Sequence, residues 1–409
     1  MRTCRFCNAA LNHSLVDLGM SPLSNAFLEP DKLNRMEPFY PLHAYICDEC
    51  FLVQLEVFET PEQIFTAGYP YLSSYSETWL AHARLYAEQM VQRFSLTPGS
   101  QVIEIASNDG CVLEYFRRKS VPVLGIEPAK NVAEVAIGRG IPTITRFFGV
   151  TLARELAAKG VVADLLFGNN VLAHVPDLKN FVQGLKVLLK PDGVLTMEFP
   201  HLQQLIEGNQ FDTIYHEHFS YFSFLVVQRI FASCGLHIFD VDELPIHGGS
   251  LRIYGCHTEK EVATSPKVSA LALRERKLGF DRQSPYDRFS RRVQKTKWRI
   301  VEFMIQAKHQ GKVLAGYGAP AKGNTLLNYC GVRSDLLEFT VDRNPQKQGK
   351  FLPGSHIPIY PVERIDEVKP DYLFILPWNI KDEIIEQMAH IRLWGAQFVV
   401  PIPDLEIVR

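Results

Sequence analysis

No run of apolar residues in this 409-residue chain approaches the roughly 20 needed to cross a bilayer. Met1-Arg2-Thr3-Cys4 also opens nothing like the basic and then apolar pattern of a secretory leader. A cytosolic protein with no membrane partner is therefore expected. An excess of one charge is missing too: 43 Lys and Arg stand against 45 Asp and Glu, a formal net charge of -2. A nucleic-acid surface needs a concentrated basic footprint, so no nucleic acid is expected as a partner. Basic clusters such as Arg291-Arg292 with Lys295 and Lys297 sit in a helical pattern and read as a solvated face. Disorder lacks its signature, since 46% of the residues are hydrophobic and 22% charged. The length exceeds one ordinary core and predicts two or three domains.

Cysteine is sparse, and half of it falls near the start as Cys4-x-x-Cys7 and Cys47-x-x-Cys50. Two such knuckles supply four thiolates that can close tetrahedrally on one zinc and leave no open position, so the metal is expected to be structural. It would stabilise a small domain over residues 1–70 that has too few apolar residues to fold securely alone. A redox Cys-x-x-Cys would need only one pair. Cys111, Cys234, Cys256 and Cys330 lie singly in apolar or strand-like context and read as small core residues.

The rest of the chain is organised around residues 102–110. Val102, Ile103 and Ile105 predict a buried strand, which breaks into Ala106-Ser-Asn108-Asp109-Gly110, residues that let backbone pass close to a ligand. A helix is expected over 111–119 and a second strand over 123–126, closing with Glu127 before Pro128. An acidic residue at that position is the usual partner of ribose hydroxyls. The loop lacks the close glycines a pyrophosphate requires, and Glu104 and Asp109 would repel one. Two carboxylates suit a cationic ligand instead, and S-adenosylmethionine carries a sulfonium and an amino group. A further strand from Asp164 ends in Asn169 and Asn170, with His174 just beyond, at the carboxyl end where open α/β sheets bind ligands. A helix over 178–190, a Pro191-Asp-Gly193 turn and a strand over 194–198 complete the parallel pattern.

Two loops stand out besides. Gly68 to Ser76 carries three tyrosines before an amphipathic helix with Trp79, Ala83, Tyr86, Ala87, Met90 and Phe94 on one face; they either supply phenols to a site or pack on that helix. Tyr215, His216, Glu217 and His218 are four consecutive proton-transferring side chains, and acid/base work is favoured over a metal site because the helical His-Glu-x-x-His spacing is missing. Residues 265–310 read as a polar helical connection. Beyond them a second β-α-β pattern has a strand over 313–316, a glycine loop from Tyr317 to Gly323, a helix from Asn324 and a strand over 337–341 ending at Asp342. Gly316-x-Gly318-x-x-Ala321 with Asp342 is close to a dinucleotide fingerprint, so an NAD-linked oxidoreductase is the competing reading; Pro320 and Lys322 beside Gly323 favour a phosphate grip.

Together the cysteine quartet, the tyrosine loop at 71–76, the 104–110 loop, Asn169-Asn170 with His174, the 215–218 tetrad and the 318–323 loop resemble one family. It is the nucleotide-sugar C-methyltransferases of deoxysugar pathways, especially those methylating C-3 of dTDP-4-keto-6-deoxysugars. The resemblance spans nearly the whole chain. It implies an α/β protein in three parts: a zinc-ribbon-like domain (1–70), a class I S-adenosylmethionine Rossmann-like domain (71–260) and a second Rossmann-like domain (261–409). The last would help hold the nucleotide sugar without binding NAD. It also implies His218 as the base that removes a proton next to the ketone, with Tyr215, Glu217, His174 and either Tyr69 or Tyr71 around the sugar. Glu104, Ala106, Asn108, Asp109, Gly110, Glu127, Asn169 and Asn170 would hold the cofactor. Lys322, Gly323 and Asn324 are expected at the nucleotide sugar's diphosphate, and the chain is expected to be a monomer.

Overall fold

The computed structural model describes residues 1–409 except Met1, residues 66–68, Pro70, Tyr71 and Ser76. Each cysteine knuckle closes the same way. A left-handed residue follows the second cysteine, Asn8 (φ 65°) or Phe51 (φ 62°), and its N–H donates at 2.9 Å to the carbonyl of the first, Cys4 or Cys47. The four sulfurs lie within 4.8 Å of one another, with Cys4 to Cys50 at 3.5 Å and Cys7 to Cys47 at 3.4 Å. Tetrahedral zinc with bonds of about 2.3 Å asks for sulfurs roughly 3.8 Å apart, so the quartet fits that ion. A hydrogen bond from Cys50 lowers the Cys4 thiol to about 4 and raises Cys50 itself.

The quartet is backed by strands β1 (His13–Ser21), β2 (Tyr40–Ile46) and β3 (Val53–Leu55), paired antiparallel. The chain then continues through β4 (Val102–Ile105), β5 (Val123–Ile126), β6 (Thr143–Ile144), β7 (Ala163–Asn169), β8 (Leu189–Pro200), β9 (Ser220–Tyr221), β10 (Leu236–Leu244) and β11 (Ser250–His257). Seven of these form one sheet in the order β10-β11-β8-β7-β4-β5-β6, parallel from β8 to β6 and antiparallel at β10 and β11. All four residues of β4 are buried, as expected of a strand covered on both faces. The order reverses at β4, with β5 on one side and β7 on the other, which opens a crevice at their carboxyl ends.

The remaining strand, β9, leaves the central sheet and pairs antiparallel with β3, Val53 opposite Tyr221 and Gln54 opposite Ser220. The 215–218 tetrad immediately precedes it. The pairing is braced from the zinc quartet: Gln54 Nε2 donates to Cys4 Sγ at 3.2 Å, the Arg5 guanidinium donates to the Leu55 carbonyl, and Arg5 lies over the Phe219 ring at 5.6 Å. From the other side the Phe219 N–H donates to the Ala173 carbonyl at 2.8 Å.

A third sheet holds β12 (Leu314–Tyr317), β13 (Phe339–Val341), β14 (Ile359–Tyr360), β15 (Tyr372–Ile375), β16 (Gln397–Val400) and β17 (Glu406–Val408). Its order is β14-β13-β12-β15-β16-β17, parallel except at β17. The loop after β1 docks on it: Glu37 accepts from the Gly354 N–H at 2.7 Å and pairs with His356 at 2.9 Å. Trp378 Nε1 reaches back to the buried Asp212 carboxylate at 2.7 Å.

Several local expectations change. The expected turn at 191–193 is absorbed into β8, where the strand passes Ala163 so closely that a Cβ on Gly193 would stand 2.8 Å from its carbonyl oxygen. The helix expected from Asn324 starts at Ala321, because Pro320 takes the cap position with an extended backbone. Residues 265–310 form two helices, Pro266–Leu278 and Phe289–His309, and are more than a connection. Glu275, fully buried, accepts from the N–H groups of Phe224 and Leu225 at 2.8 and 2.9 Å and so caps the helix Phe224–Ser233, while pairing with His201 at 2.7 Å. The four scattered cysteines are all buried.

Purified protein should carry one zinc per chain, and Cys47→Ser/Cys50→Ser should lose it. Because the quartet braces β3 and β3 holds β9, the same variant should lose turnover by about 10² through misplacement of the tetrad, while still binding S-adenosylhomocysteine. Metal analysis together with calorimetry decides this, and an unchanged zinc content would rule it out.

Candidate active site

A cavity of about 490 Å³ opens at the carboxyl ends of β4, β5 and β7 and is walled by all three parts of the chain. At one end, Ala106 (φ 56°), Asn108 (φ 48°) and Gly110 (φ 74°) turn the backbone sharply after β4. A Cβ on Gly110 would come within 3.1 Å of Ala136 and Ile141, so the tight approach to the helix Lys130–Gly138 needs glycine. The turn aims the Asn108 N–H at Glu127 Oε2, at 2.9 Å, while the Ala129 N–H meets Oε1 at 2.8 Å. Burial raises the Glu127 pKa, and these two donors oppose it. A carboxylate so fixed at the cavity wall keeps lone pairs for a ribose diol.

Ala106, Asn108, Glu127, Asn169 and Asn170 line the cavity. Both polar atoms of the Asn169 side chain and Oδ1 of Asn170 are buried without partners among the described residues, which is what an absent amino-acid end of S-adenosylmethionine would leave behind. The other two carboxylates stand elsewhere than the sequence reading put them. Asp109 accepts from the Ser74 N–H at 3.2 Å and pairs with Arg139 at 3.2 Å, so it anchors the tyrosine loop. Glu104 lies behind the turn, with burial foremost, and Asp109, Glu127 and Glu198 besides, raising its pKa well above the usual range. Neither of these, nor Gly110, lines the cavity.

At the other end stand the tetrad and His174. His218 Nδ1 donates to the Thr213 carbonyl at 3.0 Å, which leaves Nε2 as the acceptor for the Tyr215 hydroxyl at 2.9 Å. Burial, with His174 next in effect, lowers the His218 pKa well below its ordinary value. His174 packs edge-on at 4.8 Å and donates from Nδ1 to the Glu217 carbonyl at 2.8 Å; burial brings it to about 4. The Glu217 carboxylate is gripped by Asn25 Nδ2 at 2.6 Å and the Tyr69 hydroxyl at 3.3 Å. His216 points the other way, to the Pro41 carbonyl at 3.2 Å and the Tyr40 ring, and is a docking residue for β2. Tyr71 lies outside the described residues.

From the third sheet come Lys322 and Lys347. Lys322 donates to Asn379 Oδ1 at 2.6 Å and lies over the Trp378 ring at 4.6 Å; burial lowers its pKa to about 8. It shares the cavity wall with His174, His218 and His247. Gly323 and Asn324 do not line the cavity. The dinucleotide-like fingerprint is spent internally. Asp342 accepts from the Ala319 N–H at 2.7 Å and the Asn344 N–H at 2.8 Å, and a Cβ on Gly318 would meet Pro377 at 2.7 Å. Its glycine serves packing against Pro377 where a pyrophosphate would have to lie, so the oxidoreductase reading is not favoured.

Asn25, His247, Lys347 and Asn379 also line the cavity and were missed. Only His247 has a local signal, a histidine directly ahead of Gly248-Gly249; the others are distant in sequence from the reacting end and have no motif of their own.

Three family models match the chain: a zinc binding domain over residues 4–65, a methyltransferase domain over 79–241 and a C-methyltransferase C-terminal domain over 245–403. The chain is 36% identical to the C-methyltransferase NovU of Streptomyces niveus over 405 residues, covering 99% of this chain and 96% of that protein. The ubiquinone biosynthesis O-methyltransferase of Bartonella bacilliformis matches at 30% over 105 residues, 25% of this chain and 42% of that one. Its counterpart from Bartonella tribocorum matches at 26% over 132 residues, 30% and 52% respectively.

Replacing Glu127 by Ala should weaken S-adenosylhomocysteine binding by ~1 to 3 kcal/mol, the usual size for an unpaired buried polar group. Calorimetry is the check, and preferential binding of NAD would overturn the assignment.

Proposed function

The chain belongs to the C-methyltransferase family that includes NovU, an S-adenosylmethionine-dependent family with a zinc-binding domain, and on that premise we propose that its acceptor is carbon in a nucleotide-linked 4-keto-6-deoxysugar. The reaction would methylate the carbon beside the ketone, C-3 in our reading, on a dTDP-linked substrate of deoxysugar biosynthesis. The observation that carries this is the union, in one cavity, of a ribose-type carboxylate at one end with neutral histidines and a phenol at the other. Carbon methylation needs both, because a sugar C–H is nucleophilic only next to a carbonyl and only after a base has taken its proton.

In this proposal S-adenosylmethionine supplies the electrophilic methyl when bound against Ala106, Asn108, Glu127, Asn169 and Asn170. Glu104, Asp109 and Gly110 shape that turn from behind. His218 accepts the proton at Nε2, acting as one acid–base unit with the Tyr215 hydroxyl that shares this nitrogen. His174 and Glu217, the latter held by Tyr69 and Asn25, position the sugar, and Tyr71 is the alternative phenol. Lys347, which lines the cavity, takes the diphosphate, and Gly323 and Asn324, which stand outside it, support the glycine loop from behind. We divide the chain at about residues 70 and 260, and read it as a cytosolic monomer; no helix among the described residues is long and apolar enough to cross a membrane.

His218→Ala should lose on the order of 10² to 10⁴ in rate while S-adenosylhomocysteine binding persists. Washout of the proton next to the ketone, in deuterated water with S-adenosylhomocysteine in place of the methyl donor, should stop in the same variant. Undiminished methylation would remove His218 from the role, and an O-methyl product would remove the mechanism. The base works unprotonated, and burial lowers its pKa well below the ordinary 6.5, so the acid limb of kcat/KM should lie below pH 6.5. A limb above pH 6.5 would mean a different base.

A further inference from the structure

His247 has none of the roles assigned so far. It sits between β10 and β11 in a His-Gly-Gly run whose φ values are 55°, 85° and 111°. A left-handed histidine is uncommon and persists only where its surroundings fix it. Here they do: Gln210 Nε2 donates to the Gly248 carbonyl at 2.7 Å, the His201 N–H donates to the Gly249 carbonyl at 3.0 Å, and a Cβ on Gly248 would stand 2.6 Å from Trp378. The imidazole lines the cavity, its ring centroid 5.8 Å from that of Trp79, and its Nε2 is buried with no partner among the described residues. An unpaired nitrogen in that setting is destabilising unless a ligand meets it.

The wall at His247 carries Lys322 and the neutral imidazoles of His174 and His218, and Glu217, whose carboxylate is taken up by Asn25 and Tyr69, stands with them. Burial first, and then Lys322, holds His247 at about 4. Of the carboxylates nearby, Glu198 is bound by Arg252 at 2.6 Å and His82 at 2.8 Å, and Asp212 accepts from Trp378 at 2.7 Å through Oδ2 while its Oδ1 has no partner among the described residues. A negative charge that develops on a substrate at this wall meets the Lys322 cation and the unpartnered His247 nitrogen, while burial raises the pKa of both Glu217 and Asp212 and so disfavours their charged forms.

We propose that His247 and Lys322 form the site that holds the developing enolate oxygen of the keto-sugar. The inference rests on the enolate reading above. The C–H bond breaks and its proton goes to His218, while the electron pair moves into the enolate, whose oxygen receives the hydrogen bond from Nε2–H of His247 and the charge of Lys322. The pair then returns to carbon as that carbon takes the methyl from the sulfonium, releasing S-adenosylhomocysteine. His247 keeps its proton throughout. It is a catalytic residue by contact with the reacting oxygen, and its strained backbone serves to hold a neutral donor where a loop residue of ordinary conformation would not reach.

The test uses the zinc-loaded full chain and a dTDP-4-keto-6-deoxysugar. His247→Asn suits a left-handed backbone but is too short to reach; His247→Gln restores an N–H donor at length. Proton washout and methyl transfer should both fall on the order of 10² to 10³ in His247→Asn, the size seen when one oxyanion donor is removed. KM for the sugar and the affinity for S-adenosylhomocysteine should stay within about threefold, and His247→Gln should regain at least about tenfold of the loss. Equal washout in His247→Asn and the unaltered protein overturns the proposal, as does a loss that follows S-adenosylhomocysteine affinity or one that His247→Gln does not repair. If the unaltered protein washes out no proton and methylates no keto-sugar, the enolate reading fails and takes this inference with it; washout there, with none of these effects at position 247, overturns this inference alone.

Discussion

Two residues of β9 pairing with β3 are the constraint on which the reacting end of the cavity depends. The tetrad has no regular structure of its own. Its position is set because Phe219 is held on one side by the Ala173 carbonyl beyond β7 and on the other by the Leu55 N–H at the edge of the zinc-bearing sheet. Arg5 and Gln54 then carry the rigidity of the cysteine quartet into that edge. A structural metal far from any proton transfer thereby becomes a positioning element for proton transfer, since geometry at the level of an ångström governs such steps.

The same clamp explains the alternation within the tetrad. With β9 fixed, Tyr215, Glu217 and His218 face the cavity and His216 faces β2. Thr213 and Glu217 carbonyls then dictate the tautomers of His218 and His174, leaving each imidazole neutral, with Nδ1 as donor. Burial works in the same direction by disfavouring the charged form. The carboxylates at this end are held by neutral donors, Glu217 by Asn25 and Tyr69 and Asp212 by Trp378, and burial disfavours their charge as well.

The two Rossmann-like sheets show how similar local patterns diverge. After β4 a left-handed turn presents the Asn108 N–H to Glu127, which the Ala129 N–H holds from its own side, and leaves space in front of it. After β12 the corresponding Asp342 is drawn into its own loop, and Pro377 and Leu376 fill the space beside Gly318 and Gly323. The glycines are alike in sequence, but one accommodates packing at a helix beside a ligand crevice and the others accommodate packing in place of a ligand.

The sequence by itself determined what depends on short-range spacing. The Cys-x-x-Cys pairs specify their knuckles, the apolar run of β4 followed by small residues specifies a strand and a turn, and Glu127 falls at the tip of β5 by the β-α-β repeat. Tertiary structure decided which side chains share a volume. Asn25 meets Lys347 and Asn379 in the cavity from the far end of the chain, and no periodicity records such a meeting. It also decided which carboxylates remain available: Asp109 looked like part of an acidic face until Arg139 and Ser74, neither near it in sequence, consumed it. Hydrogen bonds made across the chain are long-range choices among many chemically competent partners, and the packing of three sheets around one crevice is what makes that choice.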